Sequence, residues 1–411
     1  MIRRSLLLHF FVLMALVAVA CGQEAPVGPG VPLPDASLAD ASLADAGADG
    51  AVLDAGGDED AGEEPDAGEL DAGELDGGED AGELDAGEPD AGDLDAGEGD
   101  AGEPDAGEPD AGPQSFSFAV ITDVHIGRGY GSYSGQEDDT TGRARVAVAK
   151  INELAETENL AFAFIAGDLT DSAEEAEFAK VNQILRDLQV PWFPLLGNHD
   201  IWLHTSQDGR SEAPTGDQVF ARTFGDLFRD ATVGEVVYPD QTVWNPERQV
   251  NVRFQNFELR YQGYVFFGLD WNSRKPGVIV ARGAAPEADL HNFPGGTLPW
   301  LRERLTLVPP DTRKVFFIQH QGIKTPIYSP DWLYTFDADE RDRFKAALLN
   351  AWDREMYWGL FAGHIHRRWQ GAAFDDWPDF IQMETAACQD GAEVTLVRIG
   401  VDGAVEVFQV P

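Results

Sequence analysis

Five histidines and several acidic residues lie in short groups, each just after an apolar run. The groups are Asp123-Val124-His125, Gly167-Asp168, Gly197-Asn198-His199-Asp200, His320 and Gly363-His364-Ile365-His366. Carboxylate oxygens and imidazole nitrogens together suit divalent Mn, Fe or Zn, and no thiolate is offered that would favour Cu(I). Asp123 and His125 stand two apart on a backbone leaving a strand, so both can turn toward one ion. His364 and His366 share that spacing and can serve one ion each, while the two oxygens of Asp168 can bridge a pair. Gly127, Gly167, Gly197 and Gly363 beside these residues permit tight turns and close approach. A single Asp-Xaa-His or His-Xaa-His says little. The conjunction says more, because five of the eight His fall in these groups.

Such groups can meet only if the elements bearing them converge. Short apolar runs alternate with helical patterns from Phe116 onward, which is the βαβ signal. Strands are expected at Phe116–Ile121, Ala161–Ala166, Val190–Leu196, Lys314–Ile318 and Tyr357–Phe361. Ligands bind beyond the carboxyl ends of strands in open α/β sheets, so five groups so placed can share one crevice. A helix is expected over Arg143–Glu156, with Val148, Ile151 and Leu154 inward. Another is opened by a Ser172/Glu175 capping box, with Phe178, Val181, Ile184, Leu185 and Leu188 on its apolar face. Pro191 and Pro194 mark the third strand as irregular or at an edge. A short helix is expected near Val219–Phe228, and helices near Trp300 and over Asp337–Trp352. Val252–Leu259 and Tyr264–Leu269 read as a hairpin, and further strands from Glu393 close the chain.

The chain has 411 residues, two Cys and a net charge of -44, and three segments differ sharply within it. Residues 1–20 resemble an export signal. Arg3 and Arg4 precede an apolar run, Leu6–Ala20, too short for the roughly 20 residues a spanning helix needs. Ala18-Val19-Ala20-Cys21 resembles the lipobox of bacterial lipoproteins, so Cys21 is the expected lipidation site and the chain is expected in the cell envelope, in the periplasm or at the outer membrane or cell surface. Residues 21–113 are low-complexity and in their later part repeat Asp-Ala-Gly-Glu-Xaa, with 29 acidic residues and no Lys or Arg from Asp35 to Asp110. That composition buries too little apolar surface to offset chain entropy, so a disordered, charge-extended linker is expected. Residues 114–411 are long enough for one large core. Their net acidity argues against non-specific nucleic-acid binding, which rests on Lys and Arg. With Cys21 lipidated, Cys388 has no intrachain partner, and core packing or metal rather than disulfides must stabilise the fold. Nothing in the sequence indicates an oligomeric state.

In order and spacing the ligand groups resemble the calcineurin-like metallophosphoesterases, over most of the segment from Phe116 to the C-terminus. Asp123-Val124-His125-Ile126-Gly127 looks like the first motif of that family, Gly167-Asp168 the second, Gly197-Asn198-His199-Asp200 the third and Gly363-His364-Ile365-His366 the last. The resemblance implies a four-layer α-β-β-α sandwich of two mixed sheets flanked by helices. It implies two divalent or trivalent metal ions, one on Asp123, His125, Asp168 and His366, the other on Asp168, Asn198, His320 and His364. Family members often carry His-Xaa-Pro where this chain has His320-Gln321-Gly322. Purple acid phosphatases carry Tyr where Asp171 stands, so no purple chromophore is expected. Asp171 resembles the residue that orients the catalytic His in serine/threonine phosphatases, but the Arg that follows it there is Ser172 here.

The activity so implied is hydrolysis of a phosphate mono- or diester by attack of a metal-bridging hydroxide. His199 is the candidate general acid, its other nitrogen held by Asp171. Asn198, His199 and Arg210 are the candidate substrate contacts. The long Ile201–Gln249 region also carries Trp202, His204 and Trp244, and another loop carries Trp271, Arg274 and His291. A phosphoester small molecule is the expected partner, with membrane contact through the lipid anchor only. A second reading is a non-catalytic surface binding or scaffold module on the same fold.

Overall fold

The computed structural model describes residues 114–411 apart from 131, 203, 206–208, 211–215 and 276–284, and only the backbone of 204, 205, 209 and 210. The expectations for Cys21 and for the acidic repeat lie outside the described residues.

Phe116–Ile121 is fully apolar-buried and forms the middle of a five-stranded sheet. It pairs in parallel with Leu160–Ile165, which pairs in parallel with Trp192–Pro194 at the edge. On its other side it pairs antiparallel with Val394–Ile399, and that strand with Val405–Val410. The seven-stranded sheet centres on Tyr264–Leu269, Lys314–Gln319 and Tyr357–Ala362, mutually parallel, with Trp377–Glu384 parallel to the last of these. Antiparallel strands Phe257–Tyr261 and Glu235–Val237 complete one side and Trp369–Phe374 the other. The sheets meet face to face. Phe118 projects from the first into the second, with ring centroids 5.3 Å from Phe266, 6.0 Å from Phe316 and 5.6 Å from Phe361. Alternate residues Phe267 and Phe317 point the opposite way, toward Trp300 and Phe344. Helices Asp139–Thr157 and Glu175–Leu185 cover the outer face of the smaller sheet, and Thr297–Thr306 and Ala338–Ala351 that of the larger. The fold is therefore a four-layer sandwich. No helix among the described residues is long and apolar enough to cross a membrane.

Several boundaries differ from the sequence reading, each for a local reason. The first helix starts at Asp139, four residues early, because the Asp138 carboxylate accepts the Thr141 N–H at 2.8 Å while Thr141 Oγ1 accepts the Asp138 N–H at 2.7 Å. The second helix is capped at Glu174 rather than Ser172, and Glu177, not Glu175, reaches back to its N–H at 3.0 Å. The expected Val252–Leu259 strand is two strands. Val250–Arg253 pairs with Thr242–Asn245 as a separate ribbon, and only Phe257–Tyr261 forms the hairpin with Tyr264–Leu269. The break falls where the Asn256 side chain accepts the Asp270 N–H at 2.9 Å. The hairpin of Trp369–Phe374 and Trp377–Glu384 has no counterpart among the expected strands. Its strands mix aromatics with Gln, Gly and Asp, so neither reads as an apolar run; Trp369–Phe374 forms the sheet edge and Trp377–Glu384 lies between it and Tyr357–Ala362.

Glu177 bears a pH consequence. Its buried carboxylate accepts from Glu174 N, Ser172 N and Ser172 Oγ, yet burial outweighs those bonds and pushes its pKa from 4.5 up to about 8. The native state thus holds a proton that the unfolded chain has released, so this group's contribution to stability declines as pH climbs from about 4.5 to about 8. Glu177→Gln, which keeps an acceptor but cannot ionise, is expected to flatten the loss of stability between about pH 5 and about pH 8. Urea unfolding of both proteins at the two pH values checks this; parallel losses in both would refute it.

Candidate active site

Every ligand candidate projects from the carboxyl end of a parallel strand or the turn after it. Five of them adopt left-handed backbone: Asp123 (φ 54), His125 (φ 47), Asp168 (φ 49), His364 (φ 70) and His366 (φ 55). Asp and His tolerate that region better than most residues, but each still costs roughly 1 kcal/mol or more. Backbone hydrogen bonds between neighbouring strand ends hold the turns: Asp123 N to Gly167 O, His125 N to Asp168 O and Gly363 N to His320 O, each at 3.0 Å. A Cβ on Gly363 would lie 1.9 Å from Thr122 Oγ1, and one on Gly197 would lie 2.1 Å from Asp168 N, so only glycine lets these loops close up.

Two groups of donor atoms result. In the first, His125 Nε2 lies 3.2 Å from His366 Nε2, 3.4 Å from Asp168 Oδ2 and 3.9 Å from Asp123 Oδ1, and His366 Nε2 lies 3.3 Å from Asp123 Oδ1. In the second, His320 Nε2 lies 3.1 Å from Asp168 Oδ2 and 3.2 Å from Asn198 Oδ1, and its ring centroid lies 5.0 Å from that of His364. Asp168 Oδ2 is common to both. Oxygen and nitrogen ligands at 2.0–2.2 Å from one ion sit about 3 Å from each other, so these spacings fit a cation within each group. Chemistry agrees, because lone pairs of carboxylates and imidazoles converge with few donors between them. Burial disfavours charge on His125 and His320, but Asp168, joined by Asp171 at His125, outweighs it and raises them to about 10 and about 9. Burial and the neighbouring His320 instead push His364 down to about 3. The acidic surroundings thus favour positive charge at the centre of the cluster.

His199 stands beside the first group, its ring centroid 4.7 Å from that of His125 and its side chain 25% exposed, so it faces both the cluster and solvent. Its N–H donates to Asp168 Oδ1 at 2.9 Å. The expected Asp171 contact takes a different form. His199 Nδ1 lies 2.8 Å from the Asp171 backbone carbonyl, whereas the Asp171 carboxylate is 4.0 Å from His199 Nδ1 and 3.3 Å from His125 Nδ1. The carboxylate therefore orients His125 more closely than His199.

The family model for calcineurin-like phosphoesterases matches residues 116–368. The chain belongs to this family. Among curated proteins, a probable cyclic nucleotide phosphodiesterase of Rhodopseudomonas palustris is 36% identical over 84 residues, which are 20% of this chain and 29% of that protein, so the match spans less than a third of the relative's length. A dimetal phosphatase from Danio rerio aligns at a TM-score of 0.43 and 13% identity, covering 72% of this chain and 99% of the other. A purple acid phosphatase from yellow lupin seeds aligns at 0.41 and 11%, covering 72% and 54%.

This calcineurin-like phosphoesterase also positions its site with residues the sequence reading gave no role. Asp200 is fully buried and accepts from Leu169 N, Thr170 N, Thr170 Oγ1 and Gly197 N at 2.7–3.0 Å, tying the Asp168 loop to the Asn198 loop. Its place inside Gly197-Asn198-His199-Asp200 was the available signal. Asn272 donates to Leu196 O at 2.7 Å and accepts from Gln321 at 2.8 Å, linking the two sheets behind His320, and no spacing foretold it. Trp271, Arg274 and His291, read as loop residues able to touch substrate, are interior. Trp271 packs on Phe336 and Phe344, Arg274 pairs with buried Asp270 at 2.7 Å, and His291 meets the Asn272 carbonyl at 2.9 Å. Trp202 is buried as well, while Trp244 is exposed. The side chains of Arg210 and His204 lie outside the described residues.

Proposed function

We propose that this chain is a dinuclear-metal phosphoesterase acting on a phosphate mono- or diester. The observation that carries the proposal is the single Asp168 oxygen lying 3.4 Å from His125 Nε2 and 3.1 Å from His320 Nε2, a carboxylate shared between two donor groups. Asp123, His125, Asp168 and His366 would hold one ion, and Asp168, Asn198, His320 and His364 the other. Two such ions, Mn, Fe or Zn by donor type, supply an activated water and neutralise phosphoryl oxygens. The protein's own residues do the rest. The strained loops keep the donors preorganised, so little reorganisation is needed as charge develops. Asn198 and His199 face the phosphoryl group. His199, partly exposed and anchored through Nδ1 on the Asp171 carbonyl, delivers a proton from Nε2 to the leaving oxygen. Arg3, Arg4, the apolar run and Cys21 support an exported, lipid-anchored chain with a catalytic domain at residues 114–411.

The test is metal-free protein reconstituted with Mn, Fe or Zn and assayed against phosphomonoesters, phosphodiesters, nucleotides and cyclic nucleotides, the last suggested by the Rhodopseudomonas palustris relative. Hydrolysis should appear with metal and vanish with a chelator. A protein that takes up no stoichiometric metal and hydrolyses nothing in the panel would instead be the scaffold module.

A further inference from the structure

The imidazoles of His125, His320 and His366, three of the four around Asp168 and Asp123, are not held alike. His125 Nδ1 faces the Asp171 carboxylate at 3.3 Å and His320 Nδ1 faces the Ala166 carbonyl at 2.9 Å. An oxygen at Nδ1 keeps the proton there and leaves the Nε2 lone pair pointing into the site. His366 also turns Nε2 inward, toward Asp123 Oδ1, but the side chain at its Nδ1 is an amide: Gln389 Nε2, at 3.3 Å. With 32% of its side chain exposed, His366 owes its tautomer to that one neighbour more than to burial.

Gln389 is placed firmly enough to exert such control. It is completely buried, its N–H donates to the Asp123 carbonyl at 3.0 Å, and its own carbonyl accepts from Arg143. The preceding Cys388 N–H donates to the Thr122 carbonyl at 2.8 Å, so the segment is laced to the strand end that bears Asp123. Gln389 Oε1 is buried and has no hydrogen-bond partner among the described residues. A half-turn of the amide exchanges Oε1 for Nε2 with almost no change of shape. In that orientation Oε1 accepts the proton of His366 Nδ1 and completes the pattern seen at His125 and His320.

We infer that Gln389 is a positioning residue for metal binding: its Oε1 accepts from His366 Nδ1–H, so that His366 offers Nε2 to the cation it shares with Asp123. The inference rests on the two-metal reading above and assigns to one buried amide the tautomer of one ligand. Its backbone N–H already braces Asp123, so a single residue serves two ligands of the same ion.

Titration of the metal-free full chain with Mn²⁺ by calorimetry tests this, with unfolding midpoints as a check on folding. Wild type should show two tight sites. Gln389→Ala and the near-isosteric Gln389→Met should weaken one of them about 10–100-fold, the usual effect of losing a partner behind a metal-bound His. Gln389→Glu, which restores an acceptor, should stay close to wild type. A packing role alone would rank Met above Glu. If Met keeps wild-type affinity, or Glu loses as much as Ala and Met, the inference is overturned while the two-metal reading stands. Wild-type protein with no tight Mn²⁺ site would overturn both.

Discussion

Asp168→Asn is expected to abolish turnover, lowering kcat/KM by at least about 10³-fold, or roughly 4 kcal/mol of transition-state stabilisation. The substitution changes almost no volume, so the effect isolates charge. Asp168 Oδ2 lies within 3.4 Å of His125 Nε2 and His320 Nε2, one from each donor group, and Oδ1 accepts the His199 N–H at 2.9 Å. An amide has a single oxygen: at the Oδ2 position it keeps both imidazole-side contacts but sets an NH₂ against the His199 backbone N–H, and at the Oδ1 position it sets the NH₂ against both donor groups. In either orientation the pair loses its shared negative charge, and both cations are held more weakly. Metal content should fall from two ions per chain to one or fewer. Elemental analysis beside steady-state kinetics on one phosphoester measures both quantities; full activity in a variant holding two ions would end the role of Asp168 as the shared ligand, and full activity without metal would end the dinuclear reading.

His199→Ala is expected to behave in the opposite way toward metal. His199 belongs to neither group built on Asp168 and touches that residue only through its backbone N–H, which alanine retains. Two ions should remain bound while kcat drops about 10²–10⁴-fold, the range for a lost general acid. The loss should depend on the leaving group. An alkyl phosphate leaves as a strongly basic alkoxide and needs the proton, whereas a nitrophenolate departs without one. A variant that slows both substrates equally would assign His199 to phosphate binding instead, and one that sheds metal would make it a ligand.

Much of this protein could be read along the chain. Apolar runs of six residues and 3.6-residue spacing located the strands and helices to within a few residues, because pairing and amphipathic burial depend on near neighbours. Glycines beside Asp168, Asn198 and His364 marked the tight turns. Edge strands such as Trp369–Phe374 were illegible, since a half-exposed strand is sustained by hydrogen bonds to its partner more than by its own apolarity.

What the sequence determined by itself, then, is which side chains stand at strand ends and what chemistry they can support. Which of them face one another was decided only when two sheets stacked through Phe118, Phe266, Phe316 and Phe361 and brought residues about 240 positions apart into contact, as for His125 with His366. Tertiary packing also turned the Asp171 carboxylate toward His125 across two neighbouring strands of one sheet, buried Trp271 against Phe336 and Phe344, enclosed Arg274 and His291, and set Gln389 behind His366. Periodicity cannot anticipate such contacts, because side-chain direction across a packed interface depends on the register and separation of both sheets, and neither is a property of any single stretch of chain.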